Sequence, residues 1–124
     1  MYNVIVADDE KNIREGIVEL IEWEKLGCKV CASMQNGAQV LKYLEEEKIH
    51  VDIIITDIKM PIMDGMELIG MLNERFPDIK VIILTAYSDF TYAQQAIKFQ
   101  VSDFVVKNDF FLELPRAVKK IIEQ

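Results

Sequence analysis

The chain has 124 residues, 51% of them hydrophobic and 28% charged, and carries a formal net charge of -7. That is one globular domain, large enough to fold without a disulfide or metal staple, and neither disordered nor fibrous. The acidic balance excludes direct binding to a nucleic-acid backbone as the task of this chain, because such affinity rests on clustered Lys and Arg.

At the N-terminus, Met1-Tyr2-Asn3 leads straight into a strand-like run, Asn3–Ala7. No basic segment precedes a long apolar one, so no secretory signal is expected. No stretch reaches the ~20 apolar residues a membrane span requires, and a cytoplasmic protein is expected. After Asp8-Asp9-Glu10, the residues Ile13, Ile17, Leu20 and Ile21 repeat at helical spacing. The second strand run, Lys29–Met34, contains Cys31, with Cys28 just before it. A redox or metal pair would want a helix N-terminus or further ligands. Residues three apart on a strand point to opposite faces, so packing is the expected role. His50, the only histidine, reads as a loop residue.

Val40, Leu41 and Leu44 form the second helical face, and Asp52–Thr56 the third strand. Leu68, Ile69, Leu72 and Phe76 form the third helical face, ended by Pro77. The fourth strand is Lys80–Leu84, followed by a less apolar helical face of Tyr92, Ala93, Ala96 and Ile97. The fifth strand is Asp103–Val106, followed by Leu114, Val118, Ile121 and Ile122, with Pro115 near the expected helix start. Strand and helix therefore alternate five times. That alternation implies a parallel sheet with helices on both faces and right-handed crossovers.

Open sheets of this kind bind ligands beyond the carboxyl ends of their strands. The first strand ends in Asp8-Asp9, the third in Asp57, the fourth in Thr85 and the fifth in Lys107. Only the second delivers little of note, Gln35 and Asn36. Two carboxylates about 4 Å apart repel by roughly 4 kcal/mol at a protein-like dielectric, so the gathering needs cations. Lys107 supplies one. A hard divalent ion such as Mg²⁺, which takes one or two carboxylates plus waters and phosphate oxygens, supplies the other. Asp57 then suits a nucleophile that forms an acyl phosphate. Asp8 and Asp9 suit the metal, Thr85 a phosphoryl hydrogen bond, and Lys107 a mobile point charge on the same group. Taken singly, each of these residues could be a solvated loop group; the joint pattern is what points to chemistry.

Four stretches carry a resemblance: Ala7-Asp8-Asp9-Glu10, Thr56-Asp57-Ile58-Lys59-Met60-Pro61-Ile62-Met63-Asp64-Gly65, Leu84-Thr85-Ala86, and Phe104-Val105-Val106-Lys107. The whole chain resembles the receiver domain of bacterial two-component response regulators, with its CheY-like, flavodoxin-like (βα)5 fold. The resemblance implies a single receiver domain over 1–124 and strand order 2-1-3-4-5. It implies Asp57 as phosphoacceptor and Mg²⁺ held by Asp8, Asp9, Asp57 and the Lys59 backbone carbonyl. Thr85 and Lys107 match the phosphoryl-binding pair, and Phe104 the aromatic that follows Thr85 when the domain switches. A sensor histidine kinase would donate the phosphoryl group. A homodimer is expected through the face of the fourth helix, fifth strand and fifth helix. Glu22-Trp23-Glu24-Lys25-Leu26-Gly27 and Tyr87-Ser88-Asp89-Phe90-Thr91-Tyr92-Ala93 resemble receivers joined to an AraC-type helix-turn-helix output domain, which would contact DNA and is absent from this chain. Trp23, Tyr87, Phe90 and Tyr92 read equally well as packing residues.

The family usually has proline after the lysine, often with a cis peptide, where this chain has Asn108. Lys59 and Tyr87 flank the expected path of an attacking water and so are expected to influence acyl-phosphate lifetime. Three other functions remain open at this point. An aspartate-nucleophile phosphatase would carry a second acid where Lys59 stands. A flavodoxin-like cofactor binder would want a Ser/Thr/Gly-rich loop where Asp8-Asp9-Glu10 stands. A pseudo-receiver would bind partners without phosphorylation. The expected role is signalling, not turnover of a metabolite: the domain would catalyse only its own phosphorylation and dephosphorylation.

Overall fold

A computed structural model describes residues 1–86, 91, 94 and 101–124. The elements in order are β1 (Tyr2–Ala7), α1 (Lys11–Leu20), a 3-10 turn at Trp23–Leu26, β2 (Cys28–Met34), α2 (Gly37–Glu46), β3 (Ile53–Asp57), α3 (Gly65–Arg75), β4 (Lys80–Thr85), β5 (Asp103–Val106), a 3-10 turn at Lys107–Asp109, and α4 (Phe110–Ile122). Helix α4 is the fifth helical segment of the sequence. The fourth, with Tyr92, Ala93, Ala96 and Ile97, lies outside the described residues, as do Tyr87 and Phe90.

The five strands form one parallel sheet in the order β2-β1-β3-β4-β5. Its central strands are buried on both faces, which is why their sequences are almost continuously apolar. Successive side chains go to opposite layers. Ile5, Ile54 and Ile83 face the layer holding Val40 and Leu41 of α2 and Leu68, Ile69 and Leu72 of α3. Val4, Val6, Ile53, Ile55, Ile82 and Leu84 face Ile17 of α1 and Leu114, Ala117 and Val118 of α4. Trp23 closes the second layer. It is buried, and its indole N–H donates to the Ile17 carbonyl at 3.1 Å, serving an acceptor near the end of α1.

Cys28 and Cys31 are free thiols on opposite faces. The β1–β2 register shifts between Val4 and Ile5, so Val4 pairs with Val30 and Ile5 with Ala32, leaving Cys31 as the bulged residue. His50 is a loop residue, its Nε2 3.0 Å from Asp52 Oδ1.

The first three strands each start one residue away from the sequence reading, at Tyr2, Cys28 and Ile53, and three further boundaries matter more. Asp57 and Thr85 are the last residues of their strands rather than the first beyond them, so the sheet itself fixes their backbones. Helix α4 starts at Phe110, which places Pro115 inside it, in the second turn. The bond lost there is the one that Phe111's carbonyl would accept. Phe111 is exposed, so water can serve that oxygen.

Candidate phosphoryl site

β1, β3 and β4 end side by side, and the register aligns Ala7 with Thr56 and Asp57 with Leu84. The residues at these ends, Asp8, Asp57 and Thr85, are buried at one sheet edge. Lys107 follows β5 and reaches across to them. Its Nζ donates to Asp57 Oδ2 at 2.8 Å and to Glu10 Oε1 at 2.7 Å. It also lies 3.4 Å from Asp8 Oδ1 and 3.1 Å from Asp8 Oδ2. No peptide among the described residues is cis, so Lys107–Asn108 is trans, and Lys107 reaches the site from that backbone.

The carboxylates are held from below by backbone. Ile58 N–H donates to Asp57 Oδ1 at 2.7 Å, and Glu10 N–H to Asp8 Oδ1 at 2.9 Å. Asp57's loop is fixed in turn by α3. Gly65 N–H donates to the Ile58 carbonyl at 2.7 Å, and Asp64 Oδ1 caps α3 through Glu67 N–H. A Cβ on Gly65 would collide with the Asp57 carbonyl oxygen, so only glycine lets the helix start this close to β3. Between them Ile62 adopts φ 68°, with Met63 N–H donating to the Pro61 carbonyl at 2.7 Å. This γ-turn places a β-branched side chain in a backbone region it disfavours and leaves it exposed.

Burial is the dominant influence on the charges. It raises the Asp8 carboxyl to about 6, with the neighbouring Asp57 adding to the effect and the Glu10 N–H and Lys107 opposing it. It also raises Asp57, against the hydrogen bond and charge of Lys107 and the Ile58 N–H. For Lys107 burial acts downward, but the bonds to Asp57 and Glu10 and the charges of Asp57 and Asp8 outweigh it, and the ammonium is held above its ordinary range. Lys107 is thus a fixed cation beside Asp8 and Asp57, two acids that burial makes reluctant to ionise.

Asp8, Asp9 and Asp57 each offer a carboxylate oxygen, all within 4.8 Å of one another, a set that could hold a metal ion. Asp8 Oδ2 is buried without a hydrogen-bond partner, its charge eased only by the Lys107 ion pair. An orphaned buried oxygen among oxygen-only donors fits a hard cation. Asp9 is exposed and lines a cleft of about 530 Å³ with Lys59, Pro61 and Asp64, so the site meets solvent at Asp9 while Asp8 stays buried.

Of the residues singled out from sequence, Asp8, Asp9, Asp57 and Lys107 converge directly. Thr85 is at the same edge, but its hydroxyl donates to the Ala86 carbonyl at 3.0 Å. Phe104 pairs with Ile83 and packs on the α2–α3 layer. Lys59 sits in the loop after β3, lining the cleft. Two contributors escaped the sequence reading. Glu10 binds Lys107, and Arg14 Nη1 donates to the Asp8 carbonyl at 2.7 Å. The only sequence signal for them was position, directly after the acidic pair and one helical turn later.

Comparison with known proteins places these features in a group. Residues 4–119 match the response regulator receiver domain family. The chain is 38% identical over its full length to the uncharacterized transcriptional regulatory protein YesN of Bacillus subtilis, covering 33% of that protein. It therefore spans about a third of that relative. Among solved structures it resembles the REC domain of AraT, a response regulator from Geobacillus stearothermophilus (TM-score 0.86, 38% identity, 99% of this chain and 96% of that one). It also resembles a two component transcriptional regulator AraC from Clostridium phytofermentans (TM-score 0.84, 31% identity, 99% and 94%).

Proposed function

The chain belongs to the response regulator receiver domain family, and on that premise we propose that it is switched by a phosphoryl group accepted on Asp57 from the phosphohistidine of a sensor kinase. One observation carries this reading: Asp57 is a buried carboxylate with an ammonium at 2.8 Å and two further carboxylates close enough to share a cation.

The Asp57 oxygen attacks phosphorus as the P–N bond breaks, and the leaving imidazole nitrogen keeps the electron pair. Hydrolysis reverses the state: water attacks phosphorus, the bond from phosphorus to the Asp57 oxygen breaks, the Asp57 carboxylate is restored and inorganic phosphate is released. Lys107 Nζ, fixed beside Asp57, stabilises charge on the transferred group's oxygens. Thr85, freed from the Ala86 carbonyl, turns its hydroxyl toward a phosphoryl oxygen, and Phe104 moves into the space that opens. Asp8, Asp9, Asp57 and the Lys59 carbonyl would hold Mg²⁺, which would supply charge neutralisation to the phosphoryl oxygens. Lys59 and Tyr87 tune the water's approach. The site acts on its own aspartate and not on a metabolite, so this is a signalling module and not a turnover enzyme.

Beyond the domain, the same reading assigns a cytoplasmic protein. No helix among the described residues is long and apolar enough to cross a membrane. Phosphorylation would alter the face formed by the fourth helical segment, β5 and α4, through which two copies pair. DNA contact belongs to a separate domain, of the AraC helix-turn-helix type on the strength of the Glu22–Gly27 and Tyr87–Ala93 stretches.

Intact-mass spectrometry after incubation with acetyl phosphate tests the core of the proposal. One added phosphoryl is expected on the wild type with Mg²⁺, and none without Mg²⁺ or on Asp57→Ala. No adduct in a folded, rapidly sampled wild type would favour the pseudo-receiver.

A further inference from the structure

Glu10 stands at the N-cap of α1, where a side chain ordinarily serves the first helical N–H groups, yet it makes no capping bond. Its carboxylate instead accepts from Lys107, which reaches across from the end of β5, in the shortest of the Lys107 contacts, 2.7 Å against 2.8 Å for Asp57. The Glu10 backbone is tied down on both sides, its N–H on Asp8 Oδ1 and its carbonyl on Arg14 N–H. The side chain itself is 60% exposed, so packing does not force it onto Lys107.

An ammonium has three N–H donors. Those of Lys107 are shared among Asp57, Glu10 and Asp8, leaving none free. A phosphoryl group on Asp57 brings new acceptor oxygens to the same nitrogen, and one acceptor has to yield. Asp8 is fully buried and its free oxygen faces the metal set. Asp57 becomes the acyl phosphate. Glu10 alone can swing into water at small cost, and it lies outside the three carboxylates gathered for a metal.

We infer that Glu10 is a positioning residue that competes with the phosphoryl group for Lys107: it seats the ammonium in the resting domain, and its charge opposes the phosphorylated state. The inference rests on phosphorylation at Asp57. It differs from a structural role because the effect depends on charge and reach, not on packing.

The test compares wild type, Glu10→Gln and Glu10→Asp at saturating Mg²⁺, following the acetyl-phosphate adduct by intact mass at steady state and after donor removal. Glu10→Gln keeps shape and loses charge, and its phosphorylated half-life is expected to rise about two- to tenfold, the scale of a partly exposed ion pair. Glu10→Asp keeps charge but withdraws it by one methylene, and should fall between the two. The difference between wild type and Glu10→Gln should shrink as salt is raised toward 1 M, since an exposed carboxylate is screened. A Glu10→Gln half-life equal to or shorter than wild type, or an effect indifferent to salt, overturns the inference while leaving Asp57 as acceptor. A wild type that takes no phosphoryl group at all overturns the Asp57 reading itself, and the inference with it.

Discussion

Asp8 is the residue whose chemistry the fold changes most. Burial lifts its carboxyl to about 6, above the ordinary 3.8. A raised carboxyl makes the native state bind more protons than the unfolded chain between those two values. Stability contributed by Asp8 is therefore lost as pH rises from about 4 through 6, and the penalty is fully present at pH 7. Without divalent cations, the wild type should gain about 2–3 kcal/mol relative to Asp8→Asn on going from pH 7 to pH 4. Urea titrations at the two pH values check this. Equal pH responses of the two proteins would mean that Asp8 titrates as if exposed. Asp57 is shifted in the same direction, so the site as a whole resists carrying its full negative charge. A phosphoryl-transfer site benefits from that reluctance, because a cation that relieves it binds tightly to the ionised form.

Helix α3 shows how an element can serve a site it does not enter. Its N-terminus is pinned under Asp57 by the Gly65 N–H bond to Ile58 and by the Asp64 cap, while Leu68, Ile69 and Leu72 anchor it in the core. Two of its glycines should respond in opposite ways to the same substitution. Gly65→Ala drives a methyl into the β3 backbone and should cost more than about 2 kcal/mol while slowing phosphorylation. At Gly70 a Cβ meets nothing within 4 Å, so Gly70→Ala should stabilise by about 0.5–1 kcal/mol through helix propensity. Chemical denaturation of the two variants checks both signs. A neutral Gly65→Ala would show that the β3–α3 loop can shift without consequence.

For the whole molecule, the net charge of -7 and the gathering of Asp8, Asp9 and Asp57 within reach of one ion are the grounds for expecting a divalent ion to stabilise the fold. At a hundredfold excess over Kd, linkage gives about 2.7 kcal/mol, or roughly 10 °C in Tm for a domain of this size. Mg²⁺ should produce that rise in wild type and little of it in Asp9→Asn, as read by a thermal melt at constant ionic strength. A rise of equal size in Asp9→Asn would move the ion away from the acidic pair. The alternation of strand and helix, the two-sided burial of the central strands, and the strand ends that carry Asp8, Asp9, Asp57, Thr85 and Lys107 are legible in the sequence. Those follow from periodicity and from the rule that ligands meet such sheets at their carboxyl ends, both of which are local or topological. The strand order was legible through the family resemblance. Tertiary structure decided the rest. That Glu10 leaves its helix cap for Lys107, 97 residues away, depends on which acceptors crowd one nitrogen, and spacing along the chain carries no record of that. The bulge at Cys31 and the start of α4 at Phe110, whose ring meets Gly16 of α1, were likewise settled by packing between elements distant in sequence. There, burial of apolar surface outweighs local preference.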